Sequence, residues 1–324
     1  MSSDSSELNG IAEPSRLHDR VVRYADLVPC TNAFIDTRTP GSDRKENFTI
    51  IGPGVAESRD QHVHISEPHG FNIGGARQPP HCVNSQHSHD TAETFVVHTG
   101  RWRFTFGEDG TDAAVEAGPG DLVSFPTRTF RGFENIGEEV GFLWSVLGGD
   151  DPGRVLWAPA VFDLASKYGL VLLEDGSLID TAAGQSIPAE ARPMPRTSPQ
   201  QVAALQTMDQ AAAERLIVRL GDSIERDVPA AGVARARLIG DGGFFPWDHG
   251  FTLDRIELSA DTAYAMDAPV HPHVLFVHAG TVELSVDGAA ISLHAGDTVT
   301  IPSKADRRIA AAGPAILFSV ERAG

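Results

Sequence analysis

Cysteine is almost missing from this 324-residue chain: Cys30 and Cys82 stand alone, with no CxxC pair. Two cysteines cannot make the disulfide framework of a small secreted domain. Basic residues are also scarce. Against 44 acidic side chains there are 26 Lys and Arg, for a formal charge of −18. Such a surface repels phosphate backbones and anionic lipid, so neither nucleic acid nor a membrane is an expected partner. No apolar run approaches the roughly 18 residues that a spanning helix needs. The opening residues, MSSDSSELNG, have neither the apolar core of a secretory signal nor the basic residues of a transit peptide. The cytoplasm is therefore the expected compartment.

What is present is turn-rich. Gly (32) and Pro (21) make up about a sixth of the chain, beside an ordinary 41% of apolar residues. That balance favours many short strands over long helices. Residues 1–69 read as a polar arm followed by an extension with too few apolar residues for its own core. It is expected to wrap the first domain or a partner subunit, and Phe48 to Gly54 and His69 to Asn72 are candidates for a lid or a dimer arm. Residues 70–150 carry the strand signal. Thr94 to His98, Arg101 to Phe106, Leu122 to Phe125 and Gly141 to Leu147 are short runs with period-2 alternation or continuous apolar character, separated by glycine turns. Residues 151–231 read as a connector with a short helix from Pro159 to Lys167, a hairpin around Asp175-Gly176, and a helix opened by Ser198-Pro199 that extends toward Leu220. Strand character returns over 232–324.

The second half repeats the first. Phe95-Val-Val-His-Thr-Gly100 matches Phe276-Val-His-Ala-Gly280, and Gly120-Asp-Leu-Val-Ser-Phe-Pro126 matches Gly296-Asp-Thr-Val-Thr-Ile-Pro302. The offsets of 176 and 180 residues mark a duplicated domain. Two further spacings carry a family resemblance. His87-Ser-His89, three residues, Glu93, six residues and Gly100 resemble the first motif of the cupin superfamily. Gly120, five residues, Pro126 and then Asn135 resemble the second. The resemblance implies an all-β protein: two tandem cupin barrels (double-stranded β-helix or jelly-roll) joined by a partly helical connector. It also implies a metal site in the first barrel.

The residue chemistry points the same way. His87, His89 and Glu93 share parity, so on extended chain they face one side. Two imidazoles and a carboxylate form a facial triad suited to non-haem Fe(II), with Mn, Ni or Zn also compatible. One position departs from the family: where the motif carries a fourth ligand, a histidine, this chain has Arg131. A guanidinium stays protonated and offers no lone pair. Either three protein ligands hold the metal, or His62, His64, His69, His81 or His98 substitutes, or the site is lost. Arg131 is a candidate catalytic residue, clamping a substrate carboxylate or enolate; the alternative is a surface arginine paired with Glu134. Phe95, Phe125, Phe133 and Trp144 are candidate pocket walls or plain core. In the second barrel Asp267, Pro269 and His273 fall where the triad stands and Arg307 falls opposite Arg131. With only His271 and His273 as an HxH pair, that barrel is expected to be structural.

The resemblance implies a mononuclear Fe(II) dioxygenase acting with O₂ on a small aromatic or enolic organic acid. The alternatives are a non-redox metal enzyme (isomerase, lyase, decarboxylase or cyclase) and a non-catalytic ligand-binding bicupin. A homodimer is expected, since exposed sheet edges need covering.

Overall fold

The computed structural model describes residues 17–324; the first 16 residues of the expected N-terminal arm lie outside them. Strands dominate, and most pair antiparallel, while Glu46–Ile51 also pairs in parallel with Val63–Ile65. Two compact units result. One comprises Leu27–Glu225 with Arg237–Leu253 and Arg322–Gly324. The other comprises Arg226–Ala236 and Asp254–Glu321 with residues 17–26. Among the described residues, no helix is long and apolar enough to cross a membrane.

The first unit is built on two sheets. A five-stranded sheet runs Val155–Trp157, Val83–His89, Arg131–Asn135, Trp102–Phe106, Ala113–Ala117. Its alternation explains its burial. Trp102, Phe104 and Phe106 point into the core, while Arg103 and Thr105 between them stay half-buried. The neighbouring strand answers with Ala113, Val115 and Ala117 inside and Glu116 outside, where Glu116 pairs with Arg103 at 3.1 Å. The opposing seven-stranded sheet runs Ile217–Val218, Leu122–Phe125, Glu93–Thr99, Gly141–Gly148, Phe71–Gln78, Glu46–Ile51, Val63–Ile65. Phe95, Phe104, Phe125 and Phe133 meet between the sheets with ring centroids 5.3–5.9 Å apart. Each such ring, fully buried, stabilises by about 1.5–3 kcal/mol.

The extension is part of this sheet. Glu46–Ile51 pairs along Phe71–Gln78, and Phe48, Ile50 and Ile51 are buried. The expected lids at Phe48 to Gly54 and at His69 to Asn72 are therefore largely strand and its flanks, held by ladder hydrogen bonds. Of the extension, Val21–Val22 instead pairs with Thr298–Ile301 in the second unit.

In the connector the helix Pro159–Lys167 and the hairpin Leu170–Leu172 with Leu178–Asp180 form where the sequence places them. The long helix after Ser198 does not. It has a full capping box, with Ser198 accepting from Gln201 N and the Gln201 side chain accepting from Ser198 N, yet ends at Ala203. Gln206 N turns away to donate to Arg128 O at 2.7 Å, and Asp209 starts a new short helix, Gln210–Ala213, by accepting from Ala212 N. Tertiary hydrogen bonds override local helix preference here.

Another seven-stranded sheet runs Val21–Val22, Thr298–Ile301, His273–Ala279, Ala315–Arg322, Phe251–Leu258, Val233–Ile239, Asp227–Ala230, and a four-stranded sheet runs Thr262–Met266, Arg307–Ala311, Thr281–Val286, Ala289–His294. The repeat holds down to single bonds. Val97 N donates to Asp121 O at 3.0 Å and accepts from Gly120 N at 2.8 Å through its own carbonyl; Val277 makes the same two bonds with Asp297 and Gly296 at 3.0 and 2.8 Å. Gly100 and Gly280 occupy the same turn at φ of 87° and 84°. A Cβ there would lie 2.7 Å from Gly141 Cα and 2.4 Å from Pro314 O, so both positions require glycine.

Candidate metal centre

The strand Val83–His89 and the strand Glu93–Thr99 belong to opposite sheets, joined by the turn at residues 90–92. His87 and His89 end the first and Glu93 begins the second, so the turn folds the three side chains onto one another. One ligand atom from each lies within 4.8 Å of the others, and all three residues are buried. Among the described residues this is the cluster of histidine, cysteine and carboxylate groups arranged to hold an ion.

The local bonding sets the ligand atoms. His87 Nδ1 donates to Ser85 O at 2.7 Å, which leaves Nε2 with its lone pair. The His87 and His89 rings stand edge to face at 5.0 Å, and Trp157 covers His87 at 5.2 Å. Burial holds both imidazoles well below the ordinary histidine range, and the Arg131 guanidinium reinforces this. Both rings are thus neutral and able to ligate. Burial pushes Glu93 upward, and Arg131 opposes that shift by pairing with it.

Arg131 opens its strand directly across from His87. It is 2% exposed, so it is an interior residue and its partner is Glu93, not Glu134. Its Nη2 donates to Glu93 Oε2, its Nη1 donates to His87 O at 3.1 Å, and its plane lies over Phe125 at 5.6 Å. Its Nε is buried with no hydrogen-bond partner. Arg131 therefore occupies the place of the family's fourth ligand and ties the carboxylate to the backbone of the first histidine. Glu93 Oε2 also lies 3.7 Å from His89 Nε2, so the carboxylate faces both imidazole and guanidinium.

Five histidines considered as substitutes lie elsewhere. His98 is buried against Phe142, His69 Nδ1 donates to Glu67 O, His62 and His64 meet edge to face, and His81 is exposed beside Glu134. None joins the triad: His98 shares Glu93's strand with the opposite parity, and the other four lie outside the two strands that carry the ligands.

Behind the triad lies a polar support that the sequence does not reveal. Lys45, fully buried, pairs with Asp36 and donates to Asn84 Oδ1 at 2.9 Å; Asp36 in turn accepts from Ser85 N at 3.0 Å. Glu57 accepts from Trp157 Nε1 at 2.6 Å and from Ile35 N at 2.7 Å, and burial pushes its carboxyl up to about 8. These residues come from the extension and the connector, far from the motif in sequence. A cavity of about 70 Å³ opens beside His87 and Glu93, bounded by Phe34, Val55, Phe95, Phe133 and Leu147. A water needs about 10–15 Å³ by this measure, so the space suits a small organic molecule.

The second barrel has a different arrangement at the equivalent positions. His273 is wholly buried, with Nε2 2.6 Å from Ser319 Oγ and Nδ1 against Arg307; Arg307 also donates to Glu321 at 3.2 Å and to Asp267 O at 3.0 Å. An arginine faces the histidine where a second ligand would be needed.

The cupin domain family model matches residues 76–146 and, a second time, 263–321. No curated protein sequence matches the chain. Crystal structures with the same fold include oxalate decarboxylase from Lactobacillus farciminis as a formate complex, at 12% identity and a TM-score of 0.60 over 93% of this chain and 85% of that one. Oxalate decarboxylase from Bacillus subtilis at pH 4.6 gives 13%, 0.54, 94% and 76%. A mutant of salicylate 1,2-dioxygenase from Pseudoaminobacter salicylatoxidans gives 16%, 0.50, 79% and 71%. The two matched segments lie in tandem, each set in its own pair of sheets, so the chain carries two regions that match the cupin domain family.

Proposed function

We propose that the first barrel is a mononuclear metal site and that the protein is an Fe(II)-dependent dioxygenase acting on a small enolic or aromatic acid. The observation that carries this is the convergence of His87, His89 and Glu93, all buried, with His87 and Glu93 lining a cavity and burial disfavouring the protonated form of both imidazoles. Two histidines and one carboxylate with positions left open are the donor set of non-haem Fe(II) oxygenases. A bound ion there supplies Lewis acidity and, as iron with O₂, one-electron chemistry.

The chain's own residues do the rest. Ser85 O fixes the His87 tautomer, and Trp157 fixes its ring plane. Arg131 is a positioning residue: it orients Glu93 and opposes the upward push that burial gives its carboxyl, and its charge favours an anionic head group at the open end of the triad. The apolar walls Phe34, Val55 and Leu147 exclude water from that end. The modest cavity favours a second reading as well, a non-redox lyase or decarboxylase for a small aliphatic acid, in which the ion acts as Lewis acid only.

Metal content of anaerobically purified protein, wild type beside His87→Ala/His89→Ala, tests the site. About one iron per chain, lost in the double variant, with oxygen uptake on an acid panel, supports the dioxygenase. Turnover of an acid without oxygen uptake supports the second reading. No metal after reconstitution overturns both. For Arg131, the Arg131→Lys variant is expected to retain metal while raising KM more than it lowers kcat. Equal loss in Arg131→Lys and Arg131→Ala, tracking unfolding, would mean a purely structural role.

A further inference from the structure

The cavity runs along the inner face of the seven-stranded sheet. Register places Phe95 opposite Ser145, Ser145 opposite Gly74, and Gly74 opposite Thr49. Asn47 precedes Thr49 by two residues and so shares that face. Ser145 and Asn47 both line the cavity that His87 and Glu93 close at one end.

Most polar side chains on this wall are committed to the protein. Asn72 accepts from Gly54 N and donates to Gly149 O, Thr49 donates to Gln61, and Asn84 accepts from Lys45. Two are not. Asn47 Nδ2 is buried with no hydrogen-bond partner. Ser145, 5% exposed, has a hydroxyl that leans over Gly74, whose missing side chain leaves it room: a Cβ there would lie 2.9 Å from Oγ. A buried polar group without a partner costs about 1–3 kcal/mol, so Asn47 Nδ2 calls for a ligand oxygen, and Ser145 lines the same cavity within the same sheet. No Lys or Arg lines the cavity, and Glu93 is its acidic member.

We infer that Ser145 and Asn47 form a second recognition strip, which takes a neutral hydroxyl or carbonyl on the tail of the substrate acid. The inference rests on the triad being the head-group site. The substrate class is then a small monocarboxylic acid with an oxygenated, uncharged tail. A tail carboxylate would enter an apolar cavity with no cation along this wall to receive it.

The test is calorimetric binding to the metal-containing protein of three five-carbon 2-oxo acids that share a head: 2-oxopentanoate, 5-hydroxy-2-oxopentanoate and 2-oxoglutarate. The hydroxyl-tailed acid is expected to bind about tenfold tighter than the methyl-tailed one, one net hydrogen bond, and 2-oxoglutarate weakest. Ser145→Ala and Asn47→Leu are each expected to reduce that preference while leaving the methyl-tailed acid within about threefold, since removing one hydroxyl or amide takes away at most its own hydrogen bond. Should Asn47→Leu fail to fold, Ser145→Ala carries the test alone. Equal binding of hydroxyl and methyl tails by wild type, tightest binding of 2-oxoglutarate, or an undiminished preference in Ser145→Ala overturns the inference. If wild type binds none of the three, or His87→Ala/His89→Ala binds them unchanged, the head-group reading itself fails and the strip falls with it.

Discussion

Replacing Arg131 by alanine would leave Glu93 as a buried carboxylate without its cation and His87 O without its donor. Removing one partner of a buried pair costs about 3–5 kcal/mol, because the remaining charge keeps its desolvation penalty. In a unit of this size each kcal/mol moves the midpoint by about 2–4 °C, so the metal-free variant should melt roughly 6–20 °C below the metal-free wild type. Differential scanning calorimetry on chelator-treated protein measures this. The double variant Arg131→Ala/Glu93→Gln should recover much of the loss, since the neutral amide no longer needs a counter-charge. Added Mn²⁺ should also narrow the gap, because an ion at the triad gives Glu93 another cation. A metal-free Arg131→Ala that melts within about 2 °C of wild type would refute the reasoning, for it would mean that Glu93 does not depend on the guanidinium.

His249, held by Trp247 O and Ser124 in the first unit, has its pKa pushed down to about 4 by burial. The unfolded chain binds this proton near pH 6.5 and the folded one only near 4, so stability should be full above pH 6.5 and fall by about 3 kcal/mol on acidification through that window; urea titrations at several pH values should show a slope that His249→Gln flattens. Lys45→Met should destabilise by about 3–5 kcal/mol in chemical denaturation, because Asp36 is left fully buried and unpaired. Gly280→Ala forces a side chain into left-handed backbone 2.4 Å from Pro314 O, and should lower the midpoint by several degrees, well beyond the effect of Gly288→Ala, whose Cβ meets nothing.

The barrels were legible because their signals are local. His87, His89 and Glu93 share parity over seven residues, and the glycine–proline spacings recur in both halves. The triad geometry followed from that parity once the turn at residues 90–92 set the two strands in opposite sheets. The orientation of Arg131 was not legible, since strand parity allows an interior residue and leaves its partner open; the nearby Glu134 points outward to Arg103 instead. Lys45, Glu57 and Trp157 escaped for another reason. Lys45 and Glu57 reach the site through loops whose paths depend on tertiary hydrogen bonds, and Trp157 sits on a three-residue strand too short to show a period. The helix after Ser198 failed similarly, cut short by contacts with residues 128 and 129 that its own sequence does not encode.

The segment that follows the last strand of the first barrel has a consequence for modularity. Arg154 N donates to Asp90 in the triad's own turn, Thr91 donates to Pro152 O, and Val155–Trp157 then pairs residue by residue with His89, Ser88 and His87. A barrel excised at residue 150 would keep the three ligand side chains and lose the strand that closes one edge beside them. The unit of inheritance for this site is thus larger than the family's domain boundary. Grafting or minimising it means carrying the connector along, and chimeras spliced at the domain edge would inherit the motif without its geometry.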